Sequence, residues 1–230
     1  MALPESHVVL SLTSHAGRFS GLEECLKRFS NQILKPDLLV LNIAEDEEFL
    51  LPHEVKNLEM PFKFEINFTT DLGPGKKIIP TLRSHPGSII ITVDDDLEYP
   101  DALCLDLLGE HEKYPEAIIC GRVNLPFFEG TFPVSYSKWN RGTSWTPKFL
   151  HMAGTGGGTL FPPGSLHIDV LDEINYSKNC WSTDDLWIWI HTLRQNTEMK
   201  FTPIVFSESE NNVTGSVSYT HLTLPTKRIV

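Results

Sequence analysis

The sequence predicts an α/β fold in which a mostly parallel central sheet is flanked by helices. The first observation is that short apolar runs alternate with stretches whose apolar residues recur at helical spacing, an order typical of such folds. The second is the run IIITV at residues 89–93, which is β-branched throughout, as in strands buried on both faces. Because no internal repeat or interdomain linker interrupts the alternation, we predict one domain over residues 1–215.

The N-terminal part of the chain begins with an apolar run, residues 7–13, that predicts the first strand. Apolar residues at helical spacing then predict a helix over residues 19–32. The run DLLVLNIA at residues 37–44 predicts the second strand. Residues 62–68 alternate apolar and polar side chains, which predicts a strand with one face in water.

The central part repeats the pattern. Residues 71–77 form a turn that carries two cations, and a short helix is predicted over residues 78–84. The β-branched strand over residues 87–93 comes next. A Tyr-Pro turn follows it and starts a helix over residues 101–114, since proline suits the first helical position. Residues 117–123 predict a further strand.

The C-terminal part contains an irregular segment and the strongest helix signal. Residues 125–152 are rich in aromatic residues, proline and glycine; these rings either stack on sugar rings or form a small core under the loop. The glycines of residues 154–158 do not fit GxGxxG, so we predict no dinucleotide site and interpret them as allowing close approach of a ligand. A helix is predicted over residues 186–196 and a last strand over residues 200–206.

Composition and charge narrow the class of protein. The 230 residues are 40% hydrophobic and 21% charged, as expected for a globular domain with a substantial core. The formal net charge of −11 argues against nonspecific binding to nucleic acid or to an anionic membrane. Four cysteines, Cys25, Cys104, Cys120 and Cys180, form no CxxC pair, so neither a disulfide framework nor a zinc site is predicted.

The first residues lack the basic and apolar segments of a signal peptide, and no apolar run is long enough to span a bilayer. We therefore expect a cytoplasmic protein, and leave peripheral association with the inner face of the membrane open. The tail VSYTHLTLPT at residues 217–226 resembles a translated sequencing-library adapter, so residues 216–230 are expected to be non-native and the natural protein to continue past about residue 215.

Three consecutive carboxylates, Asp94, Asp95 and Asp96, end the β-branched strand. Open α/β folds keep their ligand sites at this edge of the sheet. Adjacent carboxylates repel one another, so the cluster favours a bound cation, although a solvated acidic turn explains it as well.

A second acidic pair, Asp184 and Asp185, precedes the strongest helix. Ser182 or Thr183 is predicted to cap that helix, and carboxylates in a first turn suit the positive end of the helix dipole. The helix dipole therefore explains both aspartates without any catalytic role. The same environment keeps a carboxylate ionised, as a general base requires, so catalysis stays open.

Six motifs together carry a family resemblance. They are SLTSHAGR at 11–18, QILKP at 32–36, KKIIPTL at 76–82, TVDDDLEYP at 92–100, GGTLFPP at 157–163 and DDLWIW at 184–189. With these motifs in this order, the chain resembles the bacterial family-2-like glycosyltransferases with the GT-A (nucleotide-diphospho-sugar transferase) fold, which act in capsule and lipopolysaccharide assembly. The resemblance implies a metal-dependent, inverting transfer of a hexosyl group from a nucleotide sugar to a glycan or glycolipid acceptor in surface polysaccharide synthesis, and we expect the donor to be a UDP-sugar.

The resemblance also implies roles for individual residues. Asp96 and Asp94 would hold Mn²⁺ or Mg²⁺, Asp185 would be the base that deprotonates the acceptor, and Asp184 would orient the acceptor or the base. Trp139 and Trp145 would help to form the acceptor wall. The donor-binding residues implied in the same way are Thr13, Ser14, Arg18, Lys76, Lys77, Asp94, Asp95, Gly156, Gly157 and Gly158.

Two other classes of protein share some of these features. A phosphatase of the haloacid-dehalogenase type also ends a buried strand in DxD, but its acidic strand normally lies near the N-terminus, whereas other strands come first here. A noncatalytic sugar- or nucleotide-binding module has the same residues without turnover. Metal-dependent turnover of a nucleotide substrate distinguishes the enzyme from the module.

Overall fold

A computed structural model describes residues 7–135, 138–141, 148, 150–205 and 207–208 of the chain. Trp145, Phe206 and the tail over residues 216–230 lie outside these described residues, so the predictions that fall on them are not addressed by the structure.

The strands are mostly short, and the first four coincide with predicted strands. They are β1 Val8–Thr13, β2 Leu38–Ala44, β3 Lys63–Thr69, β4 Ile89–Val93, β5 Leu97–Glu98, β6 Ile118–Cys120, β7 Val123–Leu125, β8 Phe128–Glu129, β9 Phe132–Pro133, β10 Asn140–Arg141, β11 Met152–Ala153, β12 Gly157–Phe161, β13 Met199–Phe201 and β14 Ser207–Glu208.

The helices include the four that the sequence predicts and two that it does not. They are α1 Phe19–Arg28, α2 His53–Lys56, α3 Ile79–Ser84, α4 Leu103–His111, α5 Glu173–Asn179 and α6 Asp184–Gln195. Short 3-10 turns cover Glu45–Leu50, Gly73–Lys77 and Ile168–Leu171, among others. In the part of the chain that the structure covers, no helix combines the length and apolar character needed to cross a membrane.

Seven strands form the central sheet in the order β13-β6-β12-β4-β1-β2-β3. The pairs β4-β1, β1-β2, β2-β3 and β13-β6 are parallel, whereas β12 runs antiparallel to both β4 and β6. The prediction of a mostly parallel α/β sheet is therefore confirmed.

Helices cover both faces of this sheet. On one face α1 and α4 pack on apolar side chains such as Leu10 and Ile91. On the other face α3, α5 and α6 pack around Phe161 and Met199. Burial from both sides explains why β1, β2 and β4 have near-continuous apolar sequences.

The parallel strands position the site. β1 lies between β2 and β4, with Thr13 opposite Asn42 and Val8 opposite Ile89. Because parallel strands end at the same edge, the loops after Thr13 and Val93 meet there.

Strand β12 is the main departure from the prediction. Residues 154–158 were interpreted only as a glycine loop, but Gly157–Phe161 inserts between β4 and β6. The pairing shifts between Gly157 and Thr159, where Gly158 has φ of +76°. A glycine is required at such a positive φ, and this irregular start hides the strand from its sequence pattern.

Two smaller predictions are wrong. The single strand over residues 117–123 is divided into β6, which pairs in the central sheet, and β7, which pairs with β10 and β11 in a separate three-stranded sheet. The predicted side-chain cap of α6 is absent: Thr183 is at the N-cap without a side-chain hydrogen bond to the helix.

Candidate functional site

The acidic end of β4 is held to the loop after β1. Asp95 is turned inward, where Ser14 Oγ donates to its Oδ2 at 2.6 Å and Arg18 Nη1 donates to its Oδ1 at 2.6 Å. Arg18 Nη2 also lies 2.9 Å from Asp96 Oδ2. Asp95 therefore anchors this edge, while the side chains of Asp94 and Asp96 remain partly exposed, at 32% and 26%.

Lys77 joins the acidic cluster to the second acidic pair. Its side chain is buried, and Nζ lies 2.5 Å from Asp94 Oδ1 and 3.3 Å from Asp184 Oδ2. Burial opposes its charge, but Asp184 and Asp94 overcome that cost and raise the pKa of Lys77 above its ordinary value. Lys77 is thus a fixed cation between two groups of carboxylates.

The pair at the start of α6 converges on Thr155. The backbone N–H of Thr155 donates to Asp185 Oδ1 at 2.8 Å, and its hydroxyl lies 2.6 Å from Asp184 Oδ2 and 2.8 Å from Asp185 Oδ1. Burial and the charge of Asp184 raise the pKa of Asp185 to about 6. A carboxylate of this basicity can accept a proton near neutral pH.

Tyr99 connects the acidic cluster to the glycine loop. Its hydroxyl accepts from the backbone N–H of Asp94 at 2.8 Å and donates to the carbonyl of Gly156. A Cβ on Gly156 would stand 1.6 Å from Asp94 Oδ2, so only glycine fits beside that carboxylate. The small size of Gly156 therefore has a visible reason, while its contact with a donor sugar or an acceptor stays a prediction.

Several predicted donor-binding residues are engaged elsewhere. Thr13 Oγ1 donates to the carbonyl of Asn42 at 2.7 Å, and Lys76 Nζ pairs with Asp71 rather than with the acidic cluster. Gly157 and Gly158 belong to strand β12, where they pack against Arg122 and Leu103. These contacts support the fold around the site.

Trp139 lies on the α6 side of the molecule rather than in open solvent. Its ring packs edge-on against Trp189, with the ring centroids 5.8 Å apart, and its Nε1 donates to the carbonyl of Val134 at 2.9 Å. These contacts favour the core interpretation of this aromatic residue. Its predicted place in an acceptor wall stays a prediction.

The carboxylates at the strand end fit a divalent cation that is completed by its substrate. Burial and the nearby Asp94 raise the pKa of Asp96, although Arg18 opposes this, so negative charge is crowded here. Within the described ranges no three side chains of His, Cys, Asp or Glu form a ready-made metal cage. Mg²⁺ is commonly held by only one or two carboxylates together with substrate phosphates, which is the arrangement that Asp94 and Asp96 offer.

Two residues of the site were missed from the sequence. Thr155 stands among the glycines of residues 154–158, which were interpreted only as allowing close approach of a ligand, and Tyr99 stands beside a proline in a predicted turn. The available signal for Thr155 was a polar residue that stands between glycines, Gly154 and Gly156. Nothing local distinguished Tyr99, because its partners are set by the fold.

Comparison with protein-family models and with curated proteins gives no match for this sequence. Solved structures of the same fold do match. The inositol-1-phosphate CTP transferase of T. maritima has a TM-score of 0.53 and 11% identity, covering 97% of this chain and 99% of that one. The 4-diphosphocytidyl-2C-methyl-D-erythritol synthase of Anaerococcus prevotii has a TM-score of 0.52 and 13% identity, covering 92% and 91%.

A third structure, CMP:2-keto-3-deoxy-manno-octonic acid synthetase complexed with CTP, has a TM-score of 0.50 and 10% identity, covering 86% of this chain and 89% of that one. These proteins are nucleotidyltransferases, and the prediction of a UDP-sugar-dependent glycosyltransferase acting on a glycan acceptor is contradicted by them. At these identities the likeness concerns the fold. The chain has an α/β fold similar to that of the nucleotidyltransferases, which is a nucleotide-diphospho-sugar transferase-like fold.

Proposed function

We propose that this chain is a divalent-cation-dependent nucleotidyltransferase that transfers a nucleoside monophosphate from a nucleoside triphosphate to a hydroxyl group of a small acceptor. The observation that carries the proposal is Lys77, a buried cation placed between the acidic strand end and the Asp184–Asp185 pair. The fold of CTP-using enzymes supports it. Placement within the more specific GT-A class stays a prediction.

The donor would lie along the carboxyl edge of the sheet, where Arg18 and Lys77 supply positive charge. Asp94 and Asp96 would hold Mg²⁺ or Mn²⁺. When bound, the ion supplies Lewis-acid stabilisation of the negative charge on the triphosphate and on the departing pyrophosphate.

Asp185 would act as the base. Asp184 is paired with Lys77, so Asp185, with its pKa raised to about 6, is the carboxylate better suited to receive a proton. As the acceptor oxygen forms its bond to the α-phosphorus, the bond from the α-phosphorus to the bridging oxygen breaks and pyrophosphate leaves. The hydroxyl proton passes to Asp185.

The charge of the site favours an uncharged acceptor group. The Asp184–Asp185 pair would repel an acceptor phosphate, whereas a hydroxyl can donate a hydrogen bond to a carboxylate. We therefore propose an uncharged sugar or polyol as acceptor, with a hydroxyl as the attacking group.

The test has two steps. Thermal-shift measurements with each of the four common ribonucleoside triphosphates, with and without Mn²⁺, identify the donor, because a ligand that binds only the folded state raises the melting temperature. Pyrophosphate release is then measured with that donor and a panel of sugars and polyols. We expect metal-dependent release that is lost in Asp96→Ala.

Two results would overturn the proposal. One is the absence of stabilisation by every triphosphate in the presence of metal. The other is release of a nucleoside diphosphate from a nucleotide sugar without any pyrophosphate from a triphosphate, since that places the broken bond at a sugar carbon rather than at phosphorus.

A further inference from the structure

The segment Gly73–Lys77 has to be fixed for Lys77 to stand between the two acidic groups. This 3-10 turn has only five residues, and it precedes α3 on the face of the sheet occupied by α5 and α6. Fixing a long lysine side chain costs rotational entropy, and fixing the backbone that carries it costs more. Contacts that stabilise the turn are therefore needed to keep Lys77 Nζ in place. The contacts of Gly75 show what holds it.

The hydroxyl of Tyr176 in α5 makes the two hydrogen bonds that matter here. It accepts from the backbone N–H of Gly75 at 3.0 Å and donates to the carbonyl of Trp181 at 3.2 Å. Trp181 lies three positions before Asp184, the first residue of α6. One phenol therefore connects the turn that carries Lys77 to the segment that leads into Asp184 and Asp185.

The packing around this phenol leaves no spare room. Tyr176 is 0% exposed, and its ring meets Trp187 edge-on with centroids 5.7 Å apart. A Cβ on Gly75 would stand 2.5 Å from Tyr176 Cζ, and one on Gly73 would stand 2.7 Å from the carbonyl oxygen of Trp181. Both glycines of the Gly-Pro-Gly sequence are thus required by Tyr176 and Trp181.

We infer that Tyr176 is a positioning residue of the proposed reaction: its hydroxyl sets the distance between Lys77 and the Asp184–Asp185 pair. The effect of Tyr176 on turnover rests on the proposed function. The placement of Lys77 is a separate, structural claim. Tyr176 itself does not reach the reacting groups.

The first experiment measures the accessibility of Lys77 with an amine-labelling reagent and mass spectrometry, in the full chain. Tyr176→Phe keeps the ring and removes only the hydroxyl. Labelling of Lys77 is expected to rise about tenfold, since losing an ordinary hydrogen bond changes a local opening equilibrium by roughly that factor. Lys200, which is 3% exposed and pairs with Glu110, provides an internal control and is expected to stay unchanged.

Tyr114→Phe is the matched control variant, because the ring of Tyr114 lies 5.6 Å from Lys200 Nζ, on a different part of the fold. It should leave Lys77 labelling unchanged. Equal labelling of Lys77 in wild type and Tyr176→Phe would overturn the inference. So would a parallel rise at Lys77 and Lys200, which indicates general loosening.

A size exchange gives a second, independent test. Gly75→Ala alone should raise Lys77 labelling, because its methyl group collides with the Tyr176 ring. In the background of Tyr176→Leu, which lacks Cζ, the same Gly75→Ala change should add little. An equal effect in both backgrounds would contradict direct contact as the cause.

The consequence for turnover is measured separately. Tyr176→Phe should lower kcat of pyrophosphate release by about tenfold, for the same hydrogen-bond reason, and Tyr114→Phe should not. Wild-type protein without any turnover would remove the proposed function, while the labelling results would still decide the role of Tyr176. Unchanged kcat in Tyr176→Phe, with wild type active, would remove the positioning role.

Discussion

Asp185→Asn should make the protein more stable at neutral pH while it removes the base. The amide keeps the size of the side chain, and its oxygen can still accept the hydrogen bond from the N–H of Thr155 at 2.8 Å. What disappears is a negative charge that burial and Asp184 disfavour. Residues that are strained for function often show such a gain in stability when they are replaced.

The magnitude follows from the pKa values. The pKa of Asp185 is about 6 in the fold and 3.8 ordinarily, and each pKa unit corresponds to 1.36 kcal/mol, so ionisation costs the folded state at most ~3 kcal/mol. The buried amide also loses hydration, so we expect a net gain of about 1–2 kcal/mol. Because the folded pKa is raised, the favourable contribution of neutral Asp185 is present below about pH 4 and is lost as pH rises through 6.

The assay is urea unfolding of wild type and Asp185→Asn at several pH values between 4 and 8. A gain of about 2 kcal/mol moves the midpoint by roughly 1 M urea when the slope is about 2 kcal/mol per M. The gain should be fully developed by about pH 7 and absent at pH 4. The exposed Asp101→Asn serves as a control for a simple change of net charge, and it should shift stability by less than about 0.5 kcal/mol.

Two outcomes would refute this reasoning. A variant less stable than wild type at pH 8 would mean that the ionised carboxylate is favoured by its surroundings. A gain that is equal at pH 4 and pH 8 would mean that it does not come from the charge of Asp185. In either case the raised basicity could not be used to support its role as a base.

Three further predictions concern other parts of the molecule. Lys77→Met should cost about 3 kcal/mol in urea unfolding at pH 7, because it leaves the buried Asp184 without its cation. The cost should shrink towards pH 5 as Asp185, whose pKa burial and Asp184 raise to about 6, takes up a proton; a cost independent of pH would contradict this. Tyr99→Phe should weaken metal-dependent nucleotide binding by roughly tenfold in calorimetry, since Asp94 and Gly156 lose their shared hydrogen-bond partner; unchanged affinity would count against it. His191 is 2% exposed, and burial, followed by nearby positive groups, lowers its pKa to about 4. The free energy of unfolding should therefore fall by up to ~3 kcal/mol from pH 6.5 to pH 4, because the unfolded chain takes up the proton first. His191→Phe should remove that fall, and an identical fall in the variant would rule out this histidine as the cause.

The sequence predicts the position of a site residue best where one short stretch also determines the strand or helix that carries it. The β-branched run before Asp94 predicts a buried strand, and the carboxylates after it then have to lie at the edge of the sheet. The same holds for Asp184 and Asp185 in the first turn of α6. These residues could be placed because each depends on local periodicity and on the way parallel strands end.

Contacts between distant parts of the chain could not be predicted in this way. Lys77 meets Asp184 across 107 positions, and Tyr176 meets Gly75 across 101. Strand β12 was missed because its first residues are glycines and its pairing depends on β4 and β6. A single sequence gives propensities, whereas these contacts follow from the packing of helices on a sheet.

The functional prediction was wrong for a different reason. The six motifs include acidic strand ends and a basic turn, and such residues led to the prediction that a nucleotide phosphate and a metal are held there. They do not determine whether the broken bond lies at phosphorus or at a sugar carbon, because one fold supports both reactions. Comparison with CTP-using proteins changed the interpretation of the bond that breaks, while the residues proposed to act remained Asp96, Asp94 and Asp185.

The charges of the site indicate how metal and donor binding depend on each other. Five carboxylates, those of residues 94–96, 184 and 185, face two cations, Arg18 and Lys77, which leaves a formal charge of −3 when all are ionised. A triphosphate alone would be repelled by this excess, and a cation alone would find only part of its ligands. In the proposed reaction each would therefore supply what the other lacks, and binding of one would strengthen binding of the other by the same factor. Before either ligand binds, the salt bridges of Lys77 to Asp94 and Asp184 hold the two acidic groups together.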